Sequence, residues 1–268
     1  MAKKLNAEEL IKECKELIKE YIPNDNTVIL RYMDFPKFMS LLQNRKLYFT
    51  RADKFEDPLE GDVPSVYIDS LLSFYKCDIY KILHDKILKD KYDLDTIKKD
   101  ILGKFEKYRS ETFISCWTEN KNETESYALW KIYAKKYGVA IQTTVRKLKE
   151  ITKSKGAVIY RVKYIDDSIT NLHVPRFSNK LTFESENFFV CKKAEYCYEN
   201  EIRAMFTTED CYNLEVLIDN VDNFIDKIYI SPFAEEWFFD LIKDILVKYE
   251  LNKIDVVTSK VMLNSKSK

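Results

Sequence analysis

The stretch Tyr196-Cys197-Tyr198-Glu199-Asn200-Glu201-Ile202-Arg203 places two carboxylates and a guanidinium at every second position. In a β-strand that period puts all three side chains on one face. Adjacent carboxylates raise one another's pKa and a guanidinium lowers it, so the face can hold a carboxylate tuned for acid–base or charge-stabilising work. The competing reading is an exposed edge strand whose charges deter aggregation. The flanking aromatics Tyr196 and Tyr198 favour a site.

Four further groups have the residue types for chemistry. Arg31 lies on an otherwise apolar strand and is followed by Tyr32. A guanidinium there can fork onto a phosphate or carboxylate, or form a salt bridge with a neighbouring acid. In Phe55-Glu56-Asp57-Pro58-Leu59-Glu60-Gly61, the carboxylates of Asp57 and Glu60 lie close enough to hold a metal or a substrate hydroxyl. Asp-Pro turn chemistry explains the same loop without a ligand. Ser115 and Trp117 alternate onto one strand face, a hydroxyl beside an aromatic wall that suits a planar ligand. Cys116 between them has no histidine near it in sequence. Trp130 and Tyr133 stand three residues apart on a helical face, where core packing is the default.

Scarce residues close several routes. The 268-residue chain has four glycines, Gly61, Gly103, Gly138 and Gly156, too far apart for a dinucleotide-binding or phosphate-cradling loop. Two histidines, His84 and His173, exclude a three-histidine zinc site. Six cysteines form no Cys-x-x-Cys pair, against a zinc ribbon or a thioredoxin-type centre. Lys plus Arg equals Asp plus Glu at 44 each, so no excess positive charge advertises nucleic acid or an anionic membrane. The first ten residues lack the apolar core of a secretory signal, and no apolar run has the length of a bilayer span. The sequence reads as a cytoplasmic protein with reduced cysteines, with no membrane partner and no resident metal.

The elements that must position these residues follow from periodicity. Residues 6–21 read as an amphipathic helix capped by Asn6, with residues 1–24 set apart as an N-terminal unit. Strands are expected at 27–32, 46–50, 112–118, 139–143, 157–164, 201–206, 225–230 and 254–257. Helices are expected at 34–42, 123–136, 145–152 and 183–191, and from Ser231-Pro232 onward. A charged helical insertion falls at about 64–110, and 264–268 reads as a frayed tail. Without strict strand–helix alternation, this order predicts one α+β domain over 25–263, with a mixed, largely antiparallel sheet.

Taken in order, Arg31-Tyr32, Leu47-Tyr48-Phe49, Phe55 to Gly61, Ile114-Ser115-Cys116-Trp117, Leu129 to Ala134, Gly138-Val139-Ala140-Ile141 and Tyr198 to Arg203 resemble a family found in bacteria and phages. It is numbered two-nine-seven-one among domains of unknown function. The resemblance runs over about 28–260 and implies no established activity; its company is mobile elements and phage conflict. A second resemblance is to ADP-ribosyltransferases of the arginine type, through Arg31, Ser115 and Glu199-Asn200-Glu201. It implies that NAD is the substrate and that Arg31 holds its phosphate or ribose. Ser115 would help place the nicotinamide ribose. Glu201 would stabilise an oxocarbenium-like transition state, and Glu199 would orient an acceptor macromolecule. Tyr32, Trp117, Trp130, Tyr133 and Arg203 complete the expected nucleotide-contacting set. Such catalysis is positioning and charge stabilisation, which needs no metal or histidine. The Ser-Thr-Ser run of those enzymes is here Ser115-Cys116-Trp117. This reading requires Arg31, Ser115, Glu199 and Glu201 to converge on one cleft. Two alternatives stand beside it. One is a metal-dependent nuclease or phosphodiesterase built on Asp57, Glu60, Glu199 and Glu201. The other is a non-catalytic nucleotide- or protein-binding module using Trp117, Trp130 and Tyr133.

Overall fold

The computed structural model describes residues 21–55, 68, 72, 94–165, 189–209 and 214–261. Along the chain run β1 (Val28–Asp34), α1 (Phe35–Asn44), β2 (Lys46–Arg51), α2 (Leu94–Glu111), β3 (Thr112–Glu119), β4 (Gly138–Thr144) and α3 (Val145–Thr152). Then come β5 (Val158–Arg161), β6 (Lys163–Ile165), β7 (Cys191–Lys193), β8 (Glu201–Thr207) and β9 (Leu214–Leu217). The last elements are α4 (Val221–Phe224), β10 (Lys227–Ile230), α5 (Glu236–Lys248) and β11 (Asp255–Thr258). Among the described residues nine strands form one sheet, in the order β11-β10-β4-β1-β3-β2-β9, with β8 and then β5 attached to β3. Apart from the β10–β11 pair, its pairings are antiparallel. The fold is α+β, as the order of elements predicts.

Both faces of the sheet are covered, so its central strands are apolar on both sides. Ile29 and Met33 of β1 face one way, Leu30 and Tyr32 the other, and all four are buried. The first face carries the main core, and we call it the helix face. Phe38, Leu41 and Leu42 of α1, Leu148 of α3, Phe224 of α4, and Phe238, Ile242 and Leu246 of α5 pack there on Phe113, Trp117, Ile141 and Ile202. The far face carries two smaller clusters. One joins Leu30, Tyr32, Leu129, Trp130, Ala134 and Ala140, and the other joins Ala52, Ile114, Phe189, Val190 and Met205.

Local signals start and stop these elements. Asp34 caps α1 by accepting the Lys37 N–H at 2.9 Å, with Pro36 in the first turn, where its missing donor costs nothing. Thr144 caps α3 in the same way. Gly138 must be glycine, because a Cβ there would collide with the carbonyl oxygens of Ala134 and Met33.

β3 is the hub of the sheet. One edge pairs with β8 over Thr112 to Thr118. The other edge is shared: β1 pairs at Thr118 and Glu119, and β2 at Phe113 and Ile114. Ser115, Cys116 and Trp117 lie between the two, where the sheet splits.

Several expectations are corrected. The helix expected over 123–136 is a 3-10 turn at Lys121–Glu123, an α turn at Tyr127–Leu129 and a π turn at Trp130–Ala134. Ser231-Pro232 does not open the last helix. Ser231 accepts the Phe233 N–H in a turn of its own, and α5 begins at Glu236. The strand expected over 157–164 breaks at Val162, whose N–H turns to the Glu201 carbonyl. Cys191, expected to end a helix, lies in β7, which pairs with β6 in a two-stranded parallel sheet. β9 and α4 carry no clear sequence signal. All but Tyr21 of the helix expected at 6–21, the loop with Asp57 and Glu60, and the tail lie outside the described residues; α2 falls at the end of the expected insertion.

Candidate functional site

Between the two apolar clusters of the far face lies a closed set of charges. Arg203, in the middle of β8, sits opposite Cys116 of β3 and Tyr160 of β5 and is fully buried. Its Nε and Nη2 each donate to one oxygen of Glu201 at 2.9 Å, and Nη1 donates to the Phe189 carbonyl at 2.6 Å. Lys192 of β7 brings its Nζ to 2.7 Å from Glu199 and 3.7 Å from Glu201. The same ammonium stands 4.6 Å from the centre of the Tyr196 ring. The Tyr133 hydroxyl donates to the other oxygen of Glu199 at 3.0 Å. The Tyr164 hydroxyl accepts the Glu201 N–H at 2.8 Å. Two carboxylates and two cations thus balance in a place where a single unpaired charge would cost several kcal/mol.

Electrostatics follows from this packing. Burial pushes the Glu201 carboxyl up. The Arg203 guanidinium, Lys192 and a hydrogen bond with Cys116 more than offset this and hold it below the ordinary carboxylate range. Burial, together with the carboxylate of Glu199, lifts Tyr133 well above the ordinary phenol range, so it stays a hydrogen-bond donor. Burial pushes the Cys191 thiol up to about 11.

Glu199, Glu201 and Arg203 do not share one strand. Glu199 ends a 3-10 helix, Ala194–Glu199, and Asn200 turns the chain in the left-handed region at φ 41° before β8 starts at Glu201. Asparagine tolerates that conformation. Lys192, which approaches both carboxylates, draws them together. Nor is β8 an exposed edge, since β3 and β5 flank it.

Arg31, Ser115 and Trp117 gather on the helix face. Arg31 donates to the Ser115 hydroxyl at 3.0 Å and to the Tyr48 carbonyl at 3.2 Å, bridging the split between β1 and β2. Ser115 also accepts the Trp117 indole N–H at 3.0 Å, and the guanidinium stands 5.8 Å from the centre of that ring. Burial lowers the pKa of Arg31, and no carboxylate among the described residues bonds it. By strand alternation this group and the Glu199–Glu201 group lie on opposite sides of β3. The four residues of the expected set therefore meet as two pairs, not in one cleft. Cys116 connects them: it follows Ser115 in sequence and its thiol bonds Glu201.

The aromatics separate as well. Trp117 and Trp130 are 1% and 0% exposed, so neither is a platform for a ligand. Trp130 packs edge-on against Tyr32 with 5.0 Å between centroids and donates to Glu125 at 2.9 Å. Tyr32 accepts the Ser126 N–H at 2.9 Å. The wide π turn, closed by the Lys135 N–H on the Trp130 carbonyl, rotates Trp130 inward and Tyr133 outward, where it is 43% exposed over Glu199. Lys135 closes the turn at φ 59°, ψ −152°, a strained conformation for a residue with a side chain. Sequence reasoning did not single out Lys192 or Tyr164. Each acts through a long-range pairing that leaves no local mark.

Among the described residues no group of three or more His, Cys, Asp or Glu is placed to hold a metal ion, and no helix is long and apolar enough to cross a membrane. Residues 129–204 match the model of a family described as Protein of unknown function (DUF2971). The matched stretch contains the π turn and all five of Tyr133, Lys192, Glu199, Glu201 and Arg203, and over it the family resemblance read from the sequence holds. Neither the curated proteins nor the solved structures give a match to the chain.

Proposed function

We propose a narrower reading than the four-residue cleft of the enzyme resemblance, which these residues do not form: the protein consumes NAD, transferring or hydrolysing its ADP-ribosyl group at the far-face carboxylates alone, with Glu199 as the working residue. The observation that carries this reading is the unequal restraint of the pair. Both oxygens of Glu201 are clamped by a fully buried guanidinium, whereas Glu199 is held by Lys192 and by the half-exposed Tyr133. The role that the enzyme resemblance gives Glu201 therefore passes to Glu199. In the reaction, the bond between ribose C1′ and the pyridinium nitrogen breaks, and its electron pair leaves with neutral nicotinamide. The Glu199 carboxylate stabilises the positive charge that develops on the ribose. Water or an acceptor nucleophile then bonds to C1′ and yields its proton to Glu199.

The test is NAD consumption by the full-length protein in excess chelator. Wild-type protein is expected to consume NAD, and Glu199→Gln to lose about 100-fold or more of the rate while keeping its fold. Equal rates in the two proteins, or loss of activity on chelation, would overturn the reading.

A further inference from the structure

Within the carboxylate site Glu199, Glu201 and Arg203 are buried, whereas Tyr133 is 43% exposed. A substrate arriving from solvent meets the phenol first, with the Glu199 carboxylate behind it. The Tyr133 hydroxyl already donates to one oxygen of Glu199 at 3.0 Å, and the Lys192 ammonium holds the other at 2.7 Å. That is the relation of a nucleophile to its base: the hydroxyl proton lies on the group that takes it when the oxygen forms a new bond. The neighbouring groups are committed elsewhere. The Tyr164 hydroxyl serves the Glu201 N–H. The Lys192 ammonium has no lone pair to give. The Cys116 thiol bonds Glu201, both of whose oxygens are clamped by Arg203. The backbone is strained where it presents Tyr133. The π turn that carries this residue closes through Lys135 at φ 59°, ψ −152°, a region that glycine ordinarily occupies. Ser231 pins that conformation by donating to the Lys135 carbonyl at 2.8 Å. Strain of this kind persists where the surrounding fold holds it, and π turns are frequent at functional sites.

We propose that Tyr133 is a modification site: its phenolic oxygen is the acceptor to which the ADP-ribosyl group of NAD is transferred within the same chain, with Glu199 as the base. The inference rests on the glycosidic reading and names the acceptor that this reading leaves open. The bond between C1′ and the pyridinium nitrogen breaks, and its electron pair leaves with neutral nicotinamide. A lone pair of the Tyr133 oxygen forms the new bond to C1′, and the hydroxyl proton passes to Glu199 Oε1. The products are nicotinamide, a tyrosyl glycoside and a protonated Glu199, so no further reactant is consumed. Burial and the Glu199 carboxylate keep Tyr133 a neutral phenol. An oxocarbenium-like centre needs no phenolate, because a neutral hydroxyl attacks it as its proton is withdrawn. Water competes for the same carbon, so hydrolysis and self-transfer share one site.

The experiment is incubation of the full-length protein with NAD in excess chelator, followed by intact-mass measurement and peptide mapping, beside an assay of NAD loss. Wild type should gain the mass of a single ADP-ribosyl group, mapped to Tyr133. The adduct should survive hydroxylamine, which cleaves a carboxylate ester but not a phenolic glycoside. Glu199→Gln should form it about 100-fold more slowly. Tyr133→Phe should form none; the mapping is made on wild type, so it decides the matter whether or not that variant folds. The rate per chain should be unchanged on dilution, since base and acceptor belong to one chain. NAD loss with Tyr133 unmodified would overturn the inference and leave the glycosidic reading standing. So would an adduct on Cys116 or Lys192, an adduct released by hydroxylamine, an undiminished adduct in Tyr133→Phe, or a rate per chain that falls with dilution. NAD left intact by wild type would overturn the glycosidic reading itself, and the inference with it.

Discussion

Two arginine–glutamate pairs of the same two-toothed geometry grip opposite faces of one sheet. On the far face Arg203 clamps Glu201, with side chains 0% and 6% exposed. On the helix face, near the end of β3, Arg161 donates to both oxygens of Glu119 at 3.1 and 2.8 Å, with side chains 29% and 13% exposed. The chemistry is the same and the surroundings differ. Water can take over from either partner of the outer pair. Neither partner of the inner pair has such a substitute, so that pair is an obligation on the fold more than a source of stability.

The largest effect should therefore come from breaking the inner pair. Arg203→Met leaves the Glu201 carboxylate buried beside Lys192 alone and should destabilise the protein by about 3–5 kcal/mol in denaturant unfolding. Removing both charges, as Glu201→Leu with Arg203→Met, should recover most of that loss. A double variant no better than the single one would mean that the guanidinium matters for its bond to the Phe189 carbonyl and its packing, not for the pairing.

The acid limb of stability separates the pairs next. Hydrogen bonds from Arg161 hold Glu119 below the ordinary carboxylate range, against a smaller upward push from burial, and Glu201 is likewise lowered. Both groups bind protons less readily folded than unfolded. Their stabilisation is present above the ordinary carboxylate pKa and is lost as pH falls through their lowered folded values. In Arg203→Met the upward push of burial prevails at Glu201 and the sign reverses. The deficit of that variant against wild type should shrink as pH falls from 7 towards about 4, the range in which unfolded carboxylates titrate. A constant deficit would show that the charge of Glu201 is not its cause. The smallest effect is expected for Arg161→Met, about 1 kcal/mol in the same unfolding assay and reduced by salt. A loss as large as that of Arg203→Met would erase the distinction between the pairs.

The contrast also marks what the sequence could disclose. The β-branched and aromatic composition of β3 and the alternation in β8 are local, and they marked these strands directly, although burial on both faces hid which face was which. The ordered residues of the enzyme resemblance were also visible, but their geometry was not. Whether Arg31 and Glu201 share a face depends on the register of β1 and β8 against β3, which no single segment encodes. The left-handed Asn200 removed Glu199 from the strand that period two had given it. The π turn sent Trp130 and Tyr133 in different directions although their spacing had placed them together. Lys192 comes from a three-residue strand whose partner, β6, lies 26 residues earlier in the chain, counted from Ile165 to Cys191. Local patterning cannot anticipate a contact of that kind.

The position of β3 at the centre of the sheet has a consequence for synthesis of the chain. Its partners come from both sides in sequence: β1 precedes it, and β8 ends at Thr207, 88 residues after Glu119. At about 5–20 residues per second, a ribosome completes β8 some ~4–18 s after β3. During that interval Phe113, Ile114 and Trp117 have no second edge to close on. Covering the helix face takes longer still, until α5 has emerged. The nascent chain must therefore hold an apolar, half-paired strand in readiness, so substitutions that slow elongation between 120 and 207 should reduce soluble yield more than those placed after Lys248.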